Sequence, residues 1–385
     1  VAAGLLDNSD FSSAEGWAIP AGGQWEIADD DGHSGAACLR YRSKQAADIG
    51  AVTRDFDCQP NTDYVIAAWF KSDGKLVPAV QVVAPDNEKL VVASLRAAAA
   101  STEWKMTAVK FNSGQSTRLR IAIGAGLEHL KGGKAPAGEC CIDDVQVWAA
   151  ADAPADLAVP GGLMRQAPGE NIALGKPYTL SPGPSYGFSA DAGDATQLTD
   201  GVYSVGYFWV QRSTVGWSRG TVQISIDLGE PQPILGLSYN TAAGVAGVGW
   251  PAAILVFVSD DGQQWWTAGE LTKLSSSKGL PPGEGYGVHR YWTDELDTHG
   301  RYLRLVIAPG TQYTFCDEIE VYKGPQTLLA QERPGIPTTN PMDAVIGMVV
   351  DAGVLNTTLQ EFAQVREALD AATVDQAVKD NIGDR

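Results

Sequence analysis

Tyrosine and tryptophan recur in short glycine-containing segments across the second half of the chain: SYGF (185–188), YSVGYFWVQRSTVGW (203–217), GVGWP (247–251), GEGYGVHRYW (283–292) and GTQYTF (310–315). A pyranose ring presents a C–H face that stacks on an aromatic plane, while polar side chains read its hydroxyls. On that chemistry Tyr186, Tyr207, Trp250, Tyr286 and Tyr313 are the candidate platforms, with Arg212 and His289 as polar partners. Trp209 and Trp217 are expected in a core. In the first half, Trp17, Tyr64, Trp69 and Trp104 read as structural, and Trp25 and Tyr41 are the residues that could face a cleft.

Constellations for covalent or metal chemistry are poor. His33, His129, His289 and His299 are scattered, and none forms a metal-spaced pair. There is no G-x-S-x-G elbow, no phosphate-binding loop and no complete dinucleotide fingerprint. A glycosidase needs two carboxylates across a cleft, and the acidic clusters Asp29-Asp30-Asp31 and Asp260-Asp261 lie in turn sequences instead. A net charge of −18 repels phosphate backbones and anionic lipid, which argues against nucleic acid and membrane surfaces as partners. No apolar run approaches the roughly 20 residues needed to span a bilayer. Of the cysteines Cys38, Cys58, Cys140, Cys141 and Cys316, at least one must be free, and a disulfide among the first four stays open.

The elements that must position these residues are strands. YVIAAWFK (64–71), VPAVQVVA (77–84), WKMTAVKF (104–111), RLRIAIG (118–124) and CIDDVQVW (141–148) are strand candidates of the first region. VQISIDLG (222–229), ILGLSYNT (234–241), AILVFVS (253–259), RYLRLVIA (301–308) and DEIEVY (317–322) are those of the second. No long helix interrupts either set, which predicts an all-β fold of two antiparallel sandwiches. The expected organisation is a first sandwich over 1–150, an Ala/Pro/Gly linker over 151–169, a second sandwich over 170–324, and an extended segment with a helical tail over 325–385. In the tail, Leu359, Phe362, Val365 and Leu369 are spaced as one apolar helix face. The start at Val1 suits a chain trimmed of a signal peptide or one that begins mid-gene.

Ordered motifs carry two resemblances. Asn171-Ile-Ala-Leu-Gly-Lys-Pro, Gln197-Leu-Thr-Asp-Gly, ISIDLG, VFVSDDGQQW, Gly300-Arg-Tyr-Leu-Arg-Leu and Asp317-Glu-Ile-Glu-Val-Tyr fall in the order of the discoidin domain (coagulation factor 5/8 C-terminal), and the second region resembles it and the family 32 carbohydrate-binding modules. Leu5-Leu-Asp-Asn-Ser-Asp-Phe, Gly16-Trp17, Gly32-His-Ser-Gly, Pro60-Asn-Thr-Asp-Tyr64, Trp104 and Ile142-Asp-Asp-Val give the first region a resemblance to carbohydrate-binding modules of families 4, 9, 16 and 22. The resemblances imply galactose-binding-like jelly rolls and structural calcium. In the second region they place ligand carboxylates at Asp200 and Glu318, with carbonyls from 197–203; in the first they place one at Asp143, with carbonyls from Gly32–Ser34. The family's glutamate after the first Phe is Ser12 here, and Asp10 is the substitute.

The implied function is non-catalytic polysaccharide or oligosaccharide binding. The chain would be the targeting portion of a larger secreted bacterial glycan-degrading enzyme, with a catalytic domain C-terminal to it. The alternative is a structural or cell-surface interaction protein, whose sandwiches are spacers or protein-binding modules.

Overall fold

The computed structural model describes residues 4–344, so the expected apolar helix face of the tail lies outside the described residues. The nine strands of the first half are β1 (Trp25–Ala28), β2 (Cys38–Ser43), β3 (Val52–Asp57), β4 (Asp63–Ser72), β5 (Ala79–Ala84), β6 (Asn87–Arg96), β7 (Lys105–Asn112), β8 (Arg118–Gly124) and β9 (Gly138–Ala149). They form one sheet in the order β1-β2-β9-β4-β7 and another in the order β3-β8-β5-β6, all pairs antiparallel. Strand alternation produces the core. In β8, Leu119, Ile121 and Ile123 point inward, and in β4, Tyr64, Ile66, Ala68 and Phe70 do. Trp25 and Tyr41 are 3% and 0% exposed in this core, so neither faces a cleft.

The second half contains β10 (Tyr178–Ser181), β11 (Val215–Trp217), β12 (Val222–Ala243), β13 (Ala253–Ser259), β14 (Trp266–Glu270), β15 (Gly287–Thr293), β16 (Thr298–Ala308), β17 (Thr314–Cys316) and β18 (Ile319–Lys323). The first part of β12 lies between β10 and β16, in a sheet continued by β13 and β14. A register shift between Asp227 and Gln232 bends β12, and its second part pairs with β15 and β18. One strand thus passes from one layer to the other. Trp217, Ile224, Tyr239, Val256, Leu305 and Ile319 fill the space between. β11 and β17 make a small ribbon of their own.

Two further features correct or sharpen the sequence reading. The segment around His289 is a strand, β15, and its alternation turns His289, Tyr291 and Thr293 inward. The connection over 151–169 is laid down on the first sandwich: Ala153, Leu157, Val159 and Leu163 cover Val65, Ala67 and Ala108 on the outer face of β4 and β7. Lys110 Nζ donates to the Gly161 carbonyl at 3.0 Å, and Arg165 clamps the carbonyls of Ala153 and Pro154. Across the seam, Arg290 of β15 pairs with Asp63 at 2.8 Å and lies over the Tyr203 ring at 4.2 Å. All five cysteines are buried free thiols, with Cys38 and Cys141 side by side. No helix among the described residues is long and apolar enough to cross a membrane.

Candidate functional sites

The loops of the second sandwich bring most of the expected aromatics together. Tyr207 meets Tyr286 at 4.7 Å between ring centres, and Tyr186 meets Tyr313 at 5.6 Å and Phe315 at 4.9 Å. Trp209 joins the two groups, 5.4 Å from Tyr286 and 6.1 Å from Phe315. Most of these rings support one another, with Tyr286 donating its hydroxyl to the Gly206 carbonyl. The most exposed rings here are Tyr207, 51% exposed, and Phe188, 78% exposed. Phe188 sits in the same SYGF segment as Tyr186 and is not among the platforms expected from sequence. Arg212 is exposed and pairs with Asp191 at 3.3 Å, near the patch.

Trp250 packs on the same small core of Phe208, Val248 and Phe315 as Tyr186, Trp209, Tyr286 and Tyr313, whereas His289 is buried in β15. Trp250 donates its indole N–H to the Pro282 carbonyl at 3.0 Å and turns an edge towards His289. His289 is 1% exposed and neither ring nitrogen has a partner. Burial, reinforced by Lys110, pushes its imidazole down to about 3, so it is neutral at any physiological pH. It lies between Gly161 of the connection and the edge of the Trp250 ring.

A second surface was not expected from sequence. Because the even-numbered residues of β4 fill the core, Val65, Ala67, Trp69 and Lys71 point outward. Trp69 therefore lines a cleft of about 440 Å³, together with Met106, Asp144, Gln146, Trp148 and Leu157. A bulge in β9 shapes it. Ala67 pairs with Gln146 while Trp69 pairs with Asp143, so two residues of β9 oppose one of β4, and Asp144 takes a positive φ of 47°. Its carboxylate accepts from His33 Nδ1 at 2.7 Å and from Ser34 Oγ at 2.6 Å. His33 in turn stacks on Trp69, 3.7 Å between ring centres. Trp104 stands beyond His33, edge-on at 5.9 Å. The Trp69 plane, the Asp144 carboxylate and the Trp148 indole thus line a cleft of the size that small ligands occupy. Trp69, expected to be structural, is half-buried and lines the cleft, whereas Trp104 packs on the buried Ala28, Cys38 and Cys141 as a structural residue does. The signal for Trp69 is the β4 alternation itself, which puts it out of phase with Tyr64, Ile66 and Phe70.

The carboxylates expected to hold calcium differ between the halves. Glu318 is fully buried; Oε2 accepts from Gly201 N at 2.9 Å, whereas Oε1 has no partner. Burial and then the charge of Asp317 push its carboxyl up to about 10. Asp317 is also buried, accepts from Ser204 N and Asn240 Nδ2, and is pushed up to about 7, chiefly by burial. Asp200, in the turn that caps Glu318, is exposed and accepts from Val202 N. An orphaned carboxylate oxygen beside a second buried carboxylate fits a cation. Among the described residues no three His, Cys, Asp or Glu side chains are placed to hold one, so main-chain carbonyls of 197–203 would have to complete the set.

Asp143 is more fully engaged by the protein. Its Oδ2 accepts from His33 N and its Oδ1 from Asp144 N, both at 2.7 Å, so it ties the 32–34 turn to β9 with protein donors alone. Burial raises it to about 6. Asp10 is an exposed turn residue that accepts from Ser12 N.

No protein-family model and no curated protein matches the chain. Parts of it are similar to solved carbohydrate-binding modules. A family 16 module is 18% identical, covering 37% of this chain and 98% of its own at a TM-score of 0.30. A family 61 module solved with β-1,4-galactotriose is 14% identical, covering 38% and 99% at a TM-score of 0.29. A xylan-binding family 22 module from Paenibacillus barcinonensis is 14% identical, covering 38% and 95% at a TM-score of 0.29. At such identities and scores, a functional reading has to rest on the geometry of the surfaces described above.

Proposed function

We propose that this chain is a non-catalytic glycan-binding pair in which the cleft of the first sandwich is the principal saccharide site. The observation that carries the reading is the outward Trp69, backed by His33, beside the Asp144 carboxylate and Trp148. Trp69 offers the plane for a sugar's C–H face, and the oxygens of Asp144 retain lone pairs for hydroxyl donors. The Tyr207 and Phe188 surface of the second sandwich is an auxiliary contact on the same polymer. Glu318, with carbonyls of 197–203 and Asp200 nearby, is the proposed calcium position; no calcium is proposed at Asp143 or Asp10. The natural setting of such a pair is a secreted bacterial glycan-degrading protein, with a catalytic domain following the tail.

Titration of the full chain with xylo- and β-1,4-galacto-oligosaccharides tests this. Trp69→Ala removes a half-buried stacking plane and should lower affinity about tenfold or more in a variant whose circular dichroism matches the parent. Unchanged affinity would remove the first cleft from the reading.

One observation favours a protein partner for the second sandwich. Phe188 and Val210 are large, apolar and mostly exposed, and offer no hydroxyl contacts. Capture of a defined protein partner that is lost on Phe188→Ala, with no polysaccharide retention by this sandwich, would establish that alternative.

A further inference from the structure

We infer that the cleft of the first sandwich receives the end of a saccharide chain, not its interior; this rests on the glycan-binding reading above. A chain interior needs a groove that runs off the sheet on both sides. Here three sides are walled. On the first, the connection between the sandwiches lies over the outer face, with Ala153 and Leu157 seated on Val65, Ala67 and Ala108. Arg165 and Lys110 hold that segment by its carbonyls, so it is a fixed wall and no loose flap.

Behind Trp69 stands the 29–36 loop, whose His33 ring covers the far face of the indole. It closes on itself through Gly32 N and the Ala36 carbonyl at 3.0 Å. His33 N is tied to Asp143, the His33 ring lies flat on Trp69, and Ser34 is bonded to Asp144. Asp30 and Asp31 anchor the loop to Arg40 and Lys71 of the sheet. The third wall is the N-terminal segment, which pairs with β9 around its bulge: Leu5 N bonds the Val147 carbonyl at 2.7 Å, and Val145 N bonds the Ser9 carbonyl at 3.0 Å. The remaining side lies over Met106 on β7, the edge strand of this sheet.

A saccharide entering over Met106 meets the other walls within a short distance. At the blind end it meets Asp144, a carboxylate suited to a hydroxyl that an internal residue would have spent on its glycosidic bond. That hydroxyl could belong to the reducing or the non-reducing end; both share this chemistry.

The test is a length series on the full chain, from di- to hexasaccharides of the xylo- and β-1,4-galacto- types, with borohydride-reduced counterparts and the soluble parent polymers. Affinity should level off by the trisaccharide, and each polymer should bind in proportion to its chain ends. Loss of binding on reduction assigns the reducing end; its retention assigns the other. Affinity that climbs with every added ring, or polymers carrying many copies per chain, would overturn the inference while leaving glycan binding intact. If no saccharide binds at all, both readings fall. A variant with the wall lowered, Leu157→Gly with Pro154→Gly, should gain about threefold or more for hexa- over trisaccharide, the worth of one further stacked ring. Should that variant fail to fold, the series on the unmodified chain still decides.

Discussion

Glu318 and Asp317 illustrate how much a single buried oxygen can govern. Both carboxyls are raised, to about 10 and about 7, with burial as the leading cause, whereas an unfolded chain releases these protons near pH 4. Between those values the folded chain holds protons that the unfolded chain has lost. Stability contributed by these groups is therefore present at low pH and falls as pH rises from about 4, to about 7 for Asp317 and on to about 10 for Glu318. A cation at Glu318 favours the ionised form and removes this slope. In EDTA the melting midpoint should be lower at pH 8 than at pH 5, and calcium should restore it at pH 8. Glu318→Gln should raise the EDTA midpoint at pH 8 and abolish the calcium response. Identical midpoints with EDTA and with calcium at pH 8 would reject the Glu318 position.

At the scale of elements, the connection between the sandwiches acts as part of the first one. It can do so because Gly161 and Gly162 take positive φ angles of 79° and 70°, which place the chain against the 278–280 backbone. A Cβ at residue 162 would lie 1.9 Å from the Lys278 carbonyl oxygen. Gly162→Ala therefore combines a left-handed backbone with a backbone clash, and should cost about 1–3 kcal/mol. Denaturant unfolding measures that loss, and limited proteolysis should find the connection cut more readily. If the connection is also the wall of the cleft, the same variant should weaken discrimination between short and long saccharides. A variant as protease-resistant as the parent would mean the segment does not depend on this turn.

At the scale of the molecule, two surfaces on one chain add avidity only if a polymer can reach both. Their separate roles can be read by substitution. Tyr207→Ala with Phe188→Ala should leave oligosaccharide affinity at the Trp69 cleft within about twofold, because contacts that distant act independently. Retention on insoluble polysaccharide should fall several-fold as the second contact is lost. Retention that matches the parent would confine binding to the first sandwich. The net charge of −18 disfavours polyanionic partners.

Much of this architecture is legible in local pattern. The alternation in RLRIAIG and AILVFVS specifies strands, and the turn-rich spacing specifies sandwiches, because side chains on a strand change face at every residue. The loop aromatics were also legible: Tyr186, Tyr207, Tyr286 and Tyr313 do gather at one end of the second sandwich. His289 was not, since its place inside β15 depends on pairing with a strand nearly fifty residues earlier. Nor was the Trp69 cleft, although the alternation that turns Trp69 outward is visible. An outward tryptophan can be covered, stranded or put to use, and what surrounds it is brought from afar: His33 from a preceding loop, Asp144 by a bulge, Leu157 by the connection. The sequence by itself determined which residues form strands and which face each strand buries, since that periodicity is local. Only the tertiary structure decided which outer face stays open and what walls it, because those are contacts between segments that no local period encodes.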